Sequence, residues 1–528
     1  MQPRPSTENG QRRRWLVAMV MVALAAAACG GDDDRGERAP QDDDSAATTT
    51  TATKLVDYTP VYEVVPCDGP LFAGRLPPEA SGAECGTLTV PEDRTRSGGR
   101  QVVLPVAILR STAPDKQPDP YVYFSGGPGD AGIEAGGRVL ASGLLPTTRD
   151  FIWFDQRGTG RASPSLACPE VLEDAYDRYE STDDPVTEDE RSVAALRTCL
   201  ERLRDVADLA QYDTPTTGQD VEDLRVALGI DDWNIFGISY GTTVALEVLR
   251  SHPDHLRSAV LDSVYPTTAD AAQLIDAADR VFAKLFEGCE KDSTCSARYP
   301  NFRADTEAMV AALDAQPYEV HYTDAAGTDR VANATGQDLV AGIFYAMYET
   351  DYIGLIPSIV DQVRRGEYGI LDALGPAVLS KLGGNSDGQS FAVECADRQD
   401  QFPPGDVAEQ RRKHPLYQQL ISLPDVPESC DLLDVPSVDP AFGTIEETDV
   451  PTLVIGNEYD PITPPEDAER TAVRLGDAAT FIRFPALGHG ATGSHPCPQQ
   501  IFREFLEDPG ASVDTSCVEA MGSPAWSG

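Results

Sequence analysis

Positive charge is scarce in this 528-residue chain: 42 lysines and arginines face 86 aspartates and glutamates, for a formal net charge of −44. A surface of that sign repels phosphate backbones and anionic headgroups, which excludes nucleic acid as a partner. It attracts cations, the free amino end of a peptide among them. Histidine is rarer still, at 6 residues, so chemistry that needs an imidazole has few places to be. The cysteines are spread singly, with no paired C-x-x-C units. No metal site and no cofactor are therefore expected. After residue 28 no apolar run is long enough to span a bilayer.

The N-terminus reads as an export signal. Arg12, Arg13 and Arg14 precede an apolar run from Trp15 to Ala28, which is signal-peptide length and too short for a membrane span. "AAAC", ending at Cys29, resembles a bacterial lipobox, with Ala26 where leucine is usual. Residues 1–29 are thus a lipoprotein-type signal with Cys29 as the lipidation site, or a signal cleaved to release a secreted protein. Residues 30–58 are acidic and Thr/Ala-rich, with almost no large apolar side chains, as suits a disordered tether. Of the 11 cysteines, setting Cys29 aside leaves an even number in an exported chain, which reads as disulfides. Spacing favours local pairs: Cys67–Cys85, Cys168–Cys199, Cys289–Cys295, Cys395–Cys430 and Cys497–Cys517.

The remainder alternates strand-like and helix-like segments, the pattern of a mostly parallel α/β sheet flanked by helices. "QVVLPVAILRS", "PYVYFSGG", "FIWFDQRG" and "SAVLDSV" read as strands, and "VPTLVIGNEYD" and "ATFIRFPALGHG" as later ones. Between them the chain turns helical and loop-rich. The expected division is a core from 59–265, a helical cap insertion at 266–440, and the rest of the core at 441–528.

G-x-S-x-G occurs twice, around Ser239 and around Ser386. Ser239 follows a strand-like run, Trp233 to Phe236, and precedes an apolar helical pattern, the order a nucleophile elbow requires. Ser386, in "SKLGGNSDGQS", has neither and reads as a surface loop. In such a fold the acid follows a late strand and the histidine comes last. Only His489 and His495 lie late enough. His489, in "LGHGA", is the candidate base; His495 precedes a proline and reads as scaffolding. Asp460 in "GNEYDPITPP" is the candidate acid, with Glu458 a weaker rival. A carboxylate there fixes the imidazole tautomer, and the imidazole takes the serine proton. "SGGPGDAG", Ser125 to Gly132, supplies bare backbone for an oxyanion hole built from the N–H groups of Gly127 and Tyr240.

"SGGPG", "FDQRGTGRAS", "GISYG", "HPDHLRSAVLDSV", "DPITP" and "GHG" stand in the order found in the tripeptidyl and prolyl aminopeptidase-like branch of the α/β hydrolases. The chain resembles that family from about Cys67 to its end. The resemblance implies an exported serine exopeptidase acting on peptides with a free N-terminus. Prolyl aminopeptidases usually carry histidine before GGPG, where this chain has Ser125, which makes the tripeptidyl-like reading the more natural. An amine-recognising carboxylate is then needed, and Glu394 and Asp397 in "FAVECADRQD" are the candidates. Two other readings remain: a carboxylesterase or lipase using the same triad, and a lipid-anchored binding protein that kept only the fold.

Overall fold

The computed structural model describes residues 57–144, 148–181, 185–267, 271–324, 327–398, 413–414, 416 and 430–527. The signal, Cys29 and nearly all of the tether lie outside the described residues.

Three strands open the fold: β1 (Val61–Val65), β2 (Glu84–Pro91) and β3 (Gln101–Leu109). They are followed by β4 (Tyr121–Phe124), β5 (Phe151–Phe154), β6 (Trp233–Ile238) and β7 (Leu256–Asp262). A hairpin, β8 (Tyr318–Thr323) and β9 (Asp329–Ala334), stands apart from the main sheet, which β10 (Thr452–Asn457) and β11 (Ala479–Phe484) complete. The nine-stranded order is β1-β2-β3-β5-β4-β6-β7-β10-β11. Strands run antiparallel as far as the β3–β5 pair and parallel from β5 onward. This is the α/β-hydrolase fold.

The parallel strands are continuous apolar runs because both of their faces are covered. Val122 and Phe124 of β4 pack with Val244 and Val248 on one side, whereas Tyr121 and Tyr123 pack with Phe236 and Phe502 on the other. Between β7 and β10 the chain leaves the sheet. It forms α6 (Ala271–Lys291), reached after α1 (Gly132–Ala141), α2 (Pro169–Glu180), α3 (Pro185–Arg204), α4 (Thr214–Leu228) and α5 (Tyr240–Ser251). Then come α7 (Ser293–Arg298), α8 (Phe302–Ala315), the hairpin, α9 (Gly336–Ala346), α10 (Thr350–Ile353), α11 (Ile356–Arg364), α12 (Leu371–Leu382) and α13 (Asp387–Arg398).

Two features of this region differ from the sequence expectation. The hairpin is strand within a stretch read as helix and loop; Val320 and Tyr322 face inward while Glu319 and His321 face out. The insertion also shares its core with an earlier segment. Leu166, Tyr179, Leu200 and Tyr212 belong to one apolar cluster with Leu285, Phe344 and Leu379. The cap is thus drawn from two stretches of chain, α2–α3 as well as α6–α13. All five local cysteine pairs read from spacing are disulfides in the structure.

Candidate active site

Ser239 stands at the turn between β6 and α5 with φ 58° and ψ −128°. A non-glycine residue in that region is strained and persists only where its surroundings hold it. The holds are visible. Its N–H donates to Asp262 O at 3.1 Å, and its carbonyl accepts from Thr242 N at 2.8 Å and from Thr242 Oγ1 at 2.6 Å. The flanking glycines are a demand for space: a Cβ on Gly237 would lie 2.2 Å from Gly241 O, and one on Gly241 only 2.1 Å from Phe124 O.

The glycine loop after β4 lies against this turn. A Cβ on Gly126 would sit 3.0 Å from Ser239 Cβ and 3.5 Å from its Oγ. Gly127 has φ 105°, open to glycine alone. Tyr240 is the first residue of α5, so its N–H has no acceptor within the helix. Its buried ring ends in a hydroxyl 2.7 Å from Thr214 Oγ1. The glycine loop is braced from below by Gln156, whose Nε2 donates to Ser125 O at 3.0 Å. The neighbouring Arg157 is wholly buried and pairs with Asp220.

Ser386 is not on a surface loop. It is 3% exposed, it immediately precedes α13, and its N–H donates to Gly129 O at 2.9 Å. The side chain of Asn385 packs on Gly129, and Asn385 bridges to Asp130. The second G-x-S-x-G is therefore a cap segment seated on the glycine loop. The second of its glycines has a packing reason: a Cβ on Gly388 would meet Leu203 and Leu166.

Asp460 and His489 meet. His489 Nδ1 lies 2.9 Å from Asp460 Oδ2, with the carboxylate fully buried and the imidazole 12% exposed. Burial pushes the Asp460 carboxyl up, but the His489 charge and hydrogen bond, with donors from Thr463, outweigh it and hold the group below its usual range. Thr463 donates from its N–H at 2.9 Å and from its hydroxyl at 2.7 Å. Thr463 escaped the sequence reading, and its one signal is a position three residues after the acid. Glu458, the rival acid, is bound instead by Arg483 and Lys284. His495 accepts from Cys497 N at 3.2 Å, capping the helix that follows, Pro496–Glu507.

The histidine loop rests on both core and cap. Gly490 N donates to Ser263 Oγ at 2.8 Å, and Thr492 N to Asp262 Oδ2 at 2.8 Å. A Cβ on Gly490 would be 3.4 Å from Ile238, the residue before Ser239. From the cap, Tyr348 O accepts from His489 N at 3.0 Å, and the Tyr348 ring lies 5.0 Å from the imidazole.

Glu394 and Asp397 are buried in α13, whose every residue is buried. Glu394 lies 3.4 Å from Arg398 Nε and accepts from the Tyr265 hydroxyl at 3.4 Å. Burial pushes its carboxyl up to about 7, against the pull of Arg398 and Tyr265. Asp397 accepts from Thr214 N at 3.2 Å, while its Oδ2 has no hydrogen-bond partner among the described residues. Burial and the nearby Asp213 raise it well above the carboxylate range. No cluster able to hold a metal ion occurs among the described residues.

Residues 120–337 match the family of the alpha/beta hydrolase fold, and residues 422–517 match that of the TAP-like proteins. The chain is similar to a tripeptidyl aminopeptidase of Streptomyces coelicolor, 26% identical over 82% of this chain and 83% of that one. It is 24% identical to the serine protease Hip1 of Mycobacterium tuberculosis, over 76% of this chain and 80% of that protein. A carboxylesterase B of Mycobacterium tuberculosis is 27% identical over 81% of this chain and 85% of its own.

Proposed function

As an α/β hydrolase of the tripeptidyl aminopeptidase-like branch, the chain is a serine hydrolase, and we propose that it is an exported exopeptidase that releases short pieces from the free N-termini of peptides. The observation that carries this reading is the buried Asp460–His489 hydrogen bond, 2.9 Å long, in a loop packed beside the strained Ser239 turn.

In the proposed reaction Asp460 holds the imidazole with Nδ1 protonated, which leaves Nε2 as the base for the Ser239 hydroxyl. The Ser239 oxygen adds to the scissile carbonyl, and the resulting oxyanion is held by the N–H groups of Gly127 and Tyr240 at the positive end of α5. The imidazolium then protonates the departing amine, leaving an acyl-enzyme that water hydrolyses by the same proton route. No metal or cofactor enters this scheme.

Amine recognition falls to Glu394 and Asp397. Asp397 has the stronger case, since Arg398 already faces Glu394 while one Asp397 oxygen is unpartnered. A substrate ammonium there would restore the ionised carboxylate that burial disfavours. Export through residues 1–29, either with Cys29 lipidated or with the signal cleaved to release the protein, would put the reaction outside the cytoplasm.

Two substrate panels test the reading: free and N-acetylated tripeptide amides, and simple esters. Cleavage of free-amine peptides alone is expected. Equal cleavage of acetylated and free peptides would eliminate the exopeptidase and favour the esterase reading, which similarity to a carboxylesterase keeps in play.

A further inference from the structure

The loop that carries Asp460 is held from above by the cap. Arg280, on α6, extends its guanidinium across 178 and 180 residues of sequence separation to two backbone carbonyls. Nη1 donates to Glu458 O and Nη2 to Asp460 O, each at 2.8 Å. One planar fork therefore fixes two peptide groups, one of them belonging to the acid itself. The rest of the acid's surroundings are core: Asp460 N donates to Asn457 O, and its carboxylate accepts from Ile462, Thr463 and His489.

The fork is specific to arginine. A lysine ammonium is a point donor on a flexible stem and cannot keep two parallel bonds to carbonyls two residues apart. The charged groups around Arg280 are few. Glu466 lies 3.7 Å from its Nε, and Glu458 is taken up by Lys284 and Arg483. The arginine is mostly buried, with an 18% exposed side chain, so water does not readily replace it.

We propose that Arg280 is a positioning residue for the triad acid, through which the cap sets the direction of the Asp460 carboxylate toward His489. This rests on reading Asp460 as the triad acid. Displacing that carboxylate leaves the imidazole without a fixed tautomer, which slows proton transfer in the transition state without touching substrate binding.

The test compares Arg280→Ala, Arg280→Lys and Asp460→Asn, with each preparation titrated for active serine by a fluorophosphonate. Arg280→Ala is expected to lose roughly 100-fold in kcat per titrated site with KM unchanged, the loss typical of a small misplacement of catalytic groups. Arg280→Lys, which keeps charge and packing but not the fork, should lose part of that. Guanidinium chloride well below denaturing concentration should restore Arg280→Ala several-fold and leave the wild type and Asp460→Asn unaffected. Wild-type kcat per titrated site in Arg280→Ala, with only a lower thermal midpoint, makes the residue structural and overturns the proposal. If Arg280→Ala does not fold, an unchanged kcat in Arg280→Lys overturns it equally. An active Asp460→Asn defeats the underlying assignment of the acid instead.

Discussion

Ser239 occupies a backbone conformation that an L-residue adopts only under constraint, and the constraint is written in its neighbours. Gly237 and Gly241 are there because backbone oxygens stand 2.2 and 2.1 Å from where their Cβ atoms would be. At Gly241 the obstacle is the carbonyl of Phe124 in the middle of the sheet, which cannot step aside as a flexible side chain would. Gly241→Ala should therefore cost about 3 kcal/mol or more of stability, the upper range for overpacking; urea unfolding measures it. Ser386 matches the same five-residue pattern for another reason. Its contact with Gly129 is made by the backbone N–H, so Ser386→Ala should keep the contact. A fluorophosphonate should then label wild type and Ser386→Ala alike and leave Ser239→Ala unlabelled, with kcat in the last down on the order of 10⁴-fold or more. Labelling that follows Ser386 would reverse the assignment. The motif was legible in the sequence because around Ser239 it encodes a steric requirement, and it was ambiguous because the same spacing recurs around Ser386, where Gly388 alone answers a packing demand and Gly384 is exposed.

α13 shows what the element scale hides from sequence. Its residues, "DGQSFAVECADR", include Gly388, Ser390 and three acids, and their own propensities do not favour a helix. It is helical because it is packed on all sides, and packing contributes more than propensity. The parallel strands were readable for the opposite reason: burial on both faces leaves a continuous apolar run. Burial of α13 also has a titration consequence. In the folded protein Glu394 keeps its proton up to about pH 7, whereas an ordinary glutamate ionises near 4.5. The folded state therefore binds more protons than the unfolded chain between these values, and stability falls as pH rises through that window. Glu394→Gln removes the titration. Its stability relative to wild type should climb between about pH 4.5 and 7 and stay level above, by roughly 3 kcal/mol in all. Denaturant midpoints at a series of pH values read the difference, and a flat one would show that Glu394 is ionised throughout.

At the scale of the molecule, the cap touches three of the loops that carry the proposed catalytic residues. Arg280 holds the carbonyls of the acid loop, Tyr348 O accepts from His489 N, and Ser386 N binds Gly129 in the glycine loop. None of these contacts is visible in sequence, since each joins residues far apart in the chain through a backbone atom that carries no residue identity. The cap in turn is cross-linked. Cys168–Cys199, Cys289–Cys295 and Cys395–Cys430 all lie in its apolar cluster, and the first of them staples α2 to α3 over 31 residues. Opening a loop of that length releases unfolded-chain entropy of about 3–4 kcal/mol on the chain-entropy account. The paired variant Cys168→Ser/Cys199→Ser should lower stability by that order while leaving Ser239, Asp460 and His489 in place. Because the loops lean on the cap, activity should fail where the cap fails. Inactivation and loss of tertiary signal are expected to shift together to lower temperature, with kcat below the transition unchanged. If the variant unfolded earlier by spectroscopy yet kept its activity to the wild-type temperature, the core would be arranging the loops of Ser239, Asp460 and His489 unaided. The cap would then be a cover over the site and no part of its framework.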